Sequence, residues 1–334
     1  MRSLLFAILI LFLTPTCFAQ KVVELKKAPS TSSSKSATES VVPVVTGKNG
    51  PRLDQKQTHK IKIGVIITSR TVCRGINATT PVPLAWPEQQ VEIAEEEFSP
   101  IARGVSYRPV GTSAKQMVVS IPSMPANDEG RALVTFEVTK HSMLAPQDPS
   151  ALVMPNLKKL KTEVRVHMTA SPYIEISNPK FRSIAKEQLK DKTGAWERVE
   201  ALYDWTRENV EFKHGPLKGA SQSLKDGYGD AEELVGVFIA LCRVSDVPAR
   251  MVWVPGHVYA EFYLEDADGF GYWFPAQVAG NREFGAITDF RPILMKGDNF
   301  QTSERPKERQ RFVAEFLTGA GGKPSVKFIR DMVD

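Results

Sequence analysis

The residues best suited to chemistry gather at one turn. Gly229-Asp230-Ala231-Glu232-Glu233-Leu234 sets a capping carboxylate, Asp230, before two acidic residues and an apolar run. Leu234, Val237, Phe238, Leu241 and Val244 recur at helical spacing. That spacing predicts a helix over Glu232 to Val244 with Ala231 at its first position. A helix start suits a nucleophilic thiol, because the dipole lowers the thiol pKa and free N–H groups stabilise an oxyanion. Ala231 has no nucleophile and no proton to give up. Cys242 lies eleven residues further on. That places it near the same helix face but about 16 Å along the axis, whereas a general base needs contact at about 3 Å. Its mid-helix apolar setting predicts a buried packing thiol.

Further along, His257 follows Pro255-Gly256 and opens a strand expected over Val258 to Leu264. Trp273-Phe274-Pro275-Ala276-Gln277 closes the set. Trp253, Tyr259, Tyr263, Tyr272 and Trp273 could line an aromatic cleft, though such residues more often simply pack a sheet. Asp230, Glu232, His257 and Glu261 are metal-ligating types, but they lack a recognised ligand spacing. Neither a metal nor a cofactor is expected. Ser221 and Ser223 stand on the stretch Leu217 to Gly229, read as a loop, and are the alternative nucleophiles. Loops also carry Ser simply for turn formation.

This order of parts resembles the transglutaminase-like superfamily core. In that family a Gly-Asp-Cys turn opens a helix and an Ile-Pro-Ala-Arg-type strand follows. A strand bearing His comes next, then one ending Trp-x-Pro-x-Asp. The matching segments here are Gly229-Asp230-Ala231, Pro248-Ala249-Arg250, His257 and Trp273 to Gln277, and the resemblance covers about Ser171 to Gly285. It implies an α+β fold with a papain-like core and the chemistry of a Cys-His-Asp triad. His257 holds the retained imidazole position, Ala231 stands at the nucleophile position, and Gln277 stands at the Asp position. A carboxamide can accept a hydrogen bond from an imidazole N–H but cannot supply the charge that stabilises an imidazolium. The resemblance therefore implies a transglutaminase-like pseudoenzyme, acting as a peptide- or partner-binding module. The alternatives are an amide-bond hydrolase or acyltransferase with an unrecognised nucleophile, and a structural scaffold.

The rest of the chain must position these residues. Residues 1–19 read as a signal peptide cleaved near Ala19: Arg2, an apolar run from Leu4 to Leu13, and small residues before Gln20. Bacterial export to the periplasm or beyond is the expectation. Residues 20–59 read as a disordered basic linker, rich in Ser, Thr, Pro and Lys. Residues 60–170 read as an antiparallel β-sandwich. Ile61, Ile63, Val65 and Ile67 alternate with other residues, as do Ala132, Val134, Phe136 and Val138, and Val164, Val166 and Met168. Residues 171–300 form the core, with helices expected at Phe181 to Lys190 and Trp196 to Val210. Residues 301–334 are a C-terminal extension with a helix expected over Glu308 to Leu317.

The net charge of +5 is concentrated in the linker. Lys21 to Lys60 holds eight Lys or Arg against three Asp or Glu. Setting aside that surplus and Arg2 leaves −1 for Ile61 onward. The pI of 9.0 thus argues for no nucleic-acid partner. The expected partner is a protein or peptide, with cell-envelope components among the candidates, and membrane association only weak or through the tether. Export leaves Cys73 and Cys242 in a compartment that permits a disulfide, but the apolar setting of Cys242 argues against one.

Overall fold

Alternating apolar residues drive the first part of the chain into strands. A computed structural model describes residues 48–333. The residues read as a signal peptide, and those read as linker up to residue 47, lie outside the described residues. Six strands follow one another: β1 (Arg52–Ser69), β2 (Cys73–Val82), β3 (Gln89–Phe98), β4 (Gly104–Val110), β5 (Ala114–Met124) and β6 (Asp128–Leu144). Ile61, Ile63 and Val65 of β1 are buried opposite Phe136, Val134 and Ala132 of β6. Such cross-strand apolar pairs fix the register, because a one-residue slip would turn every one of them to solvent.

The second part mixes short strands and helices. In order they are β7 (Leu152–Val153), α1 (Thr162–Arg165), α2 (Pro179–Leu189), α3 (Ala195–Asn209), β8 (Glu211–Phe212), α4 (Ala220–Asp226), β9 (Tyr228–Gly229) and α5 (Ala231–Val244). Then come β10 (Ala249–Val254), β11 (His257–Asp266), β12 (Gly271–Gln277), β13 (Glu283–Phe284), β14 (Met295–Lys296), β15 (Phe316–Ala320) and β16 (Ser325–Val333).

Two four-stranded antiparallel sheets, β16-β1-β6-β3 and β15-β2-β5-β4, make the sandwich. The last two strands of the chain thus return to edge positions, one in each sheet. The core sheet runs β13-β12-β11-β10-β14, also antiparallel. Helix α5 packs on β10 and β11, and α2, α3 and α4 pack on α5. Every residue of α5 from Glu233 to Arg243 is buried, as expected of a helix that is apolar on all sides. Trp196 of α3 meets Phe262, Phe274 and Phe284 edge-on at centroid distances of 5.6, 5.3 and 4.9 Å. Burying an aromatic or large aliphatic side chain of this kind contributes about 1.5–3 kcal/mol. The papain-like α+β core next to an antiparallel sandwich is the architecture the sequence implied.

Four local expectations differ from the structure. Arg52 to His59, read as linker, are already strand, paired with β6 down to Arg52 opposite Leu144. Val164 to Met168, read as strand, form α1 and a following 3-10 turn. Leu160 and Val164 pack together with Tyr263, with Met168 against them, and a spacing of four fits a helix face as well as an alternating strand. The Ser-bearing stretch before the key turn is not all loop. It contains α4, framed by Gly219 (φ +88°) and the left-handed cap Gly227 (φ +75°). No helix forms over Glu308 to Leu317. Gln310 N donates to Phe300 O at 2.9 Å, Val313 is fully buried, and β15 begins at Phe316. Tertiary pairing there overrides the helical propensity of the charged residues.

Candidate functional site

The helix start is built locally. Asp230 accepts from Glu232 N at 2.9 Å and Glu233 N at 3.2 Å, and Glu233 Oε2 accepts from Asp230 N at 2.9 Å. This capping box satisfies orphan donors from both sides. It also fixes Ala231 as the first helical residue. Glu233 Oε1 accepts from Lys218 N at 2.6 Å, so the box also anchors the chain entering α4.

His257 opens β11 and Gln277 ends β12. The register that pairs Ala260 with Ala276 sets Gln277 diagonal to His257, a separation that long side chains span. Gln277 Oε1 lies 2.9 Å from His257 Nε2. A carboxamide oxygen only accepts, so the neutral ring carries its proton on Nε2 and keeps the Nδ1 lone pair. Helix α3 holds this strand end in place. Tyr203 Oη donates to Gln277 O at 2.6 Å, and Arg207 Nη1 donates to Gln277 O and Val278 O at 3.2 and 2.7 Å.

Ala231 and His257 line one cleft of about 1070 Å³. Phe212 and His214 line it beyond α3, Trp253 to Val258 form its floor, and Arg311, Phe312 and Arg330 form a wall from the C-terminal segment. Glu232 also faces this space. Burial pushes its carboxyl up to about 7, helped by Asp230 and Glu233 and opposed by its ion pair with Arg311. Glu232 Oε1 is buried with no hydrogen-bond donor among the described residues.

The other candidates lie elsewhere. Cys242 is fully buried in α5, and burial pushes its thiol far up. Cys73 is buried in the sandwich, and both thiols are free. Ser223 is buried on α4 with its hydroxyl unpartnered, and neither it nor Ser221 lines the cleft. Glu261, one of the metal-ligating types, is taken by Lys296 Nζ at 2.6 Å and Arg250 Nε at 2.8 Å. Among the described residues no group of three His, Cys, Asp or Glu is arranged to hold a metal ion. Among them, too, no helix is long and apolar enough to cross a membrane. Sequence reasoning did not reach the cleft roles of Phe212, His214, Arg311, Phe312 and Arg330. No local signal marks the C-terminal three, which arrive from the far end of the chain.

The comparisons agree with this geometry at the level of fold. Residues 182–278 match the model of the transglutaminase-like superfamily core, a span that runs from α2 to just past Gln277. The chain is similar to the crystal structure of a candidate cysteine protease from Cytophaga hutchinsonii. The two are 15% identical over 85% of this chain and 94% of that one, with a TM-score of 0.53. A candidate protease from Parabacteroides distasonis is 11% identical over 70% of this chain and 48% of that one. Its TM-score of 0.27 is too low to define a shared fold. No curated protein matches. Residues 182–278 therefore match a transglutaminase-like core, in a chain whose fold is similar to that of the Cytophaga hutchinsonii candidate cysteine protease.

Proposed function

We propose that this protein is an exported transglutaminase-like pseudoenzyme whose cleft binds a peptide segment of a partner. One observation carries the reading: the first residue of α5, in the cleft that His257 also lines, is Ala231. Acyl transfer on this architecture needs three parts: a nucleophile at the helix start, an imidazole to take its proton, and a third group to orient the imidazole. Gln277 meets the orienting need through its 2.9 Å contact with His257, but it brings no charge. The nucleophile is missing altogether, and positioning alone forms no covalent intermediate. The hydrolase reading on Ser221 or Ser223 has less support, since both lie outside the cleft lining.

The test is the rate of iodoacetamide alkylation against pH, for the native protein, for Ala231→Cys and for Ala231→Cys with Gln277→Asp. The native protein should show no reactive thiol and no turnover of amide substrates. Ala231→Cys should give a thiol with depressed pKa, and adding the carboxylate should raise its reactivity further. Native amide turnover that disappears on His257→Ala would sink the pseudoenzyme reading. A double variant no more reactive than an ordinary exposed cysteine would sink the assignment of the three positions.

A further inference from the structure

The C-terminal wall of the cleft is cationic and set against aromatic rings. Arg311 has its guanidinium near the faces of Tyr173 and Trp253, 5.9 and 5.6 Å from the ring centroids. Arg330 sits 5.5 Å from the ring of Phe312, which itself packs edge-on against Trp253 at 5.1 Å. Guanidinium groups stacked on aromatic faces lose side-chain freedom but keep their N–H forks for planar anions. Tyr173 adopts φ +67°, a left-handed backbone that a bulky residue rarely takes. Such strain, where observed, points to a positional role. Both forks are only partly used. Arg330 Nη2 donates to Glu315 Oε1 at 2.5 Å, while its Nε–H is buried with no acceptor among the described residues. Among the described residues, Arg311 reaches the carboxylate of Glu232 alone. Of the two acidic residues lining the cleft, Asp230 is occupied by the capping box.

We propose that the cleft grips its ligand by a carboxylate, received by Arg311 and Arg330, so that the bound peptide presents either its C-terminal carboxylate or an Asp or Glu side chain. The proposal rests on the peptide-binding reading above and adds what is read. A carboxylate accepts two parallel N–H bonds from a guanidinium, and these charge-assisted bonds are the strong ones. Glu232 is then the internal competitor, holding Arg311 until a ligand carboxylate displaces it. The charged groups around Glu232 are Arg311 from the C-terminal segment and Asp230 and Glu233 from its own helix start. Arg330, His214 and His257 share the cleft with it. With its carboxyl near 7, Glu232 takes up a proton between pH 8 and pH 6 and releases Arg311, while a peptide carboxylate stays ionised throughout. Ligand affinity should therefore rise as the pH falls across that range.

The experiment is equilibrium dialysis of the full chain against three mixtures of N-acetylated tetrapeptides, read by mass spectrometry. The mixtures are free acids without acidic side chains, the same sequences as C-terminal amides, and amides containing Glu. Free acids should be retained at least about tenfold more tightly than plain amides, a difference of about 1.4 kcal/mol. Arg311→Gln and Arg330→Gln should each erase that difference. Glu232→Gln, which keeps both arginines, should bring the affinity for acids at pH 8 up to the native value at pH 6. Glu-containing amides held as tightly as the acids would assign the side-chain source, and their absence would assign the C-terminus. Plain amides retained as tightly as both the free acids and the Glu-containing amides, or no gain from Glu232→Gln, overturns the carboxylate inference and leaves the peptide-binding reading standing. No retention of any mixture overturns both.

Discussion

Replacing Lys296 by Met tests what joins the sandwich to the core. Lys296 Nζ donates to Glu88 Oε1 at 2.5 Å and to Glu261 Oε1 at 2.6 Å. Glu88 precedes β3 of the sandwich, Glu261 lies on β11, and Lys296 lies on β14. All three side chains are 3% exposed or less. Arg250 supplies the second cation, its Nη2 2.7 Å from Glu261 Oε2. Two cations thus meet two carboxylates away from water. Methionine keeps most of the lysine stem beside Trp86 and removes only the charge. Arg250 can still neutralise Glu261, but Glu88 is left buried without the ammonium that bonds it. Breaking a buried pair from one side costs about 3–5 kcal/mol, because the surviving charge is stranded. For a domain of this size that lowers Tm by roughly 10 °C. Urea unfolding at pH 7 measures the free energy, and calorimetry measures the shift. Adding Glu88→Gln should recover a large part of the loss, since the stranded charge is then gone. The sign with pH is also fixed. Burial raises the Glu261 carboxyl, but Lys296 and Arg250 outweigh it and hold it well below the ordinary carboxylate range. The stability it contributes is therefore present above the ordinary carboxylate pKa and lost as the pH falls toward the depressed one. Lys296→Met should flatten that acid limb. A variant within about 1 kcal/mol of the native protein, or one not rescued by Glu88→Gln, would refute the reasoning.

Two further outcomes follow from the helix start. Asp230→Ala removes the side-chain acceptor for Glu232 N and Glu233 N and should cost about 1–2 kcal/mol by urea unfolding. A negligible loss would mean the capping box is dispensable. Glu232→Gln should be more stable relative to the native protein at pH 8 than at pH 5. Its folded-state carboxyl is raised to about 7, so its contribution is fully present below the unfolded value and is lost as the pH rises through the folded one. Parallel pH profiles of the two proteins would contradict this.

The chemistry-bearing turn was legible in the sequence because its causes lie within a few residues. Asp230, Glu233 and the apolar run to Val244 specify cap, box and buried helix together, and the helix forms as Ala231–Val244. The strands carrying His257 and Gln277 were legible through the resemblance to the transglutaminase-like core, and β11 is buried almost continuously rather than in alternation, whereas the long strands built around Ile61 and Val134 were legible through alternation. Readings failed where a local pattern served two structures. The spacing of Val164 and Met168 fits strand or helix, and the charged stretch after Glu308 fits a helix until β15 and the Phe300 pairing claim its backbone. Other features have no local cause at all. The Arg311–Glu232 pair spans 79 residues and the Lys296–Glu88 bond spans 208. The sequence by itself determined the long sandwich strands, the helices α2, α3 and α5, and which residue stands at the head of α5. Only the tertiary structure decided that the end of the chain closes both sandwich sheets and lays two arginines along the cleft. Propensity and capping act over a turn or two of backbone, whereas a wall built from opposite ends of a chain is chosen by the packing of the whole fold.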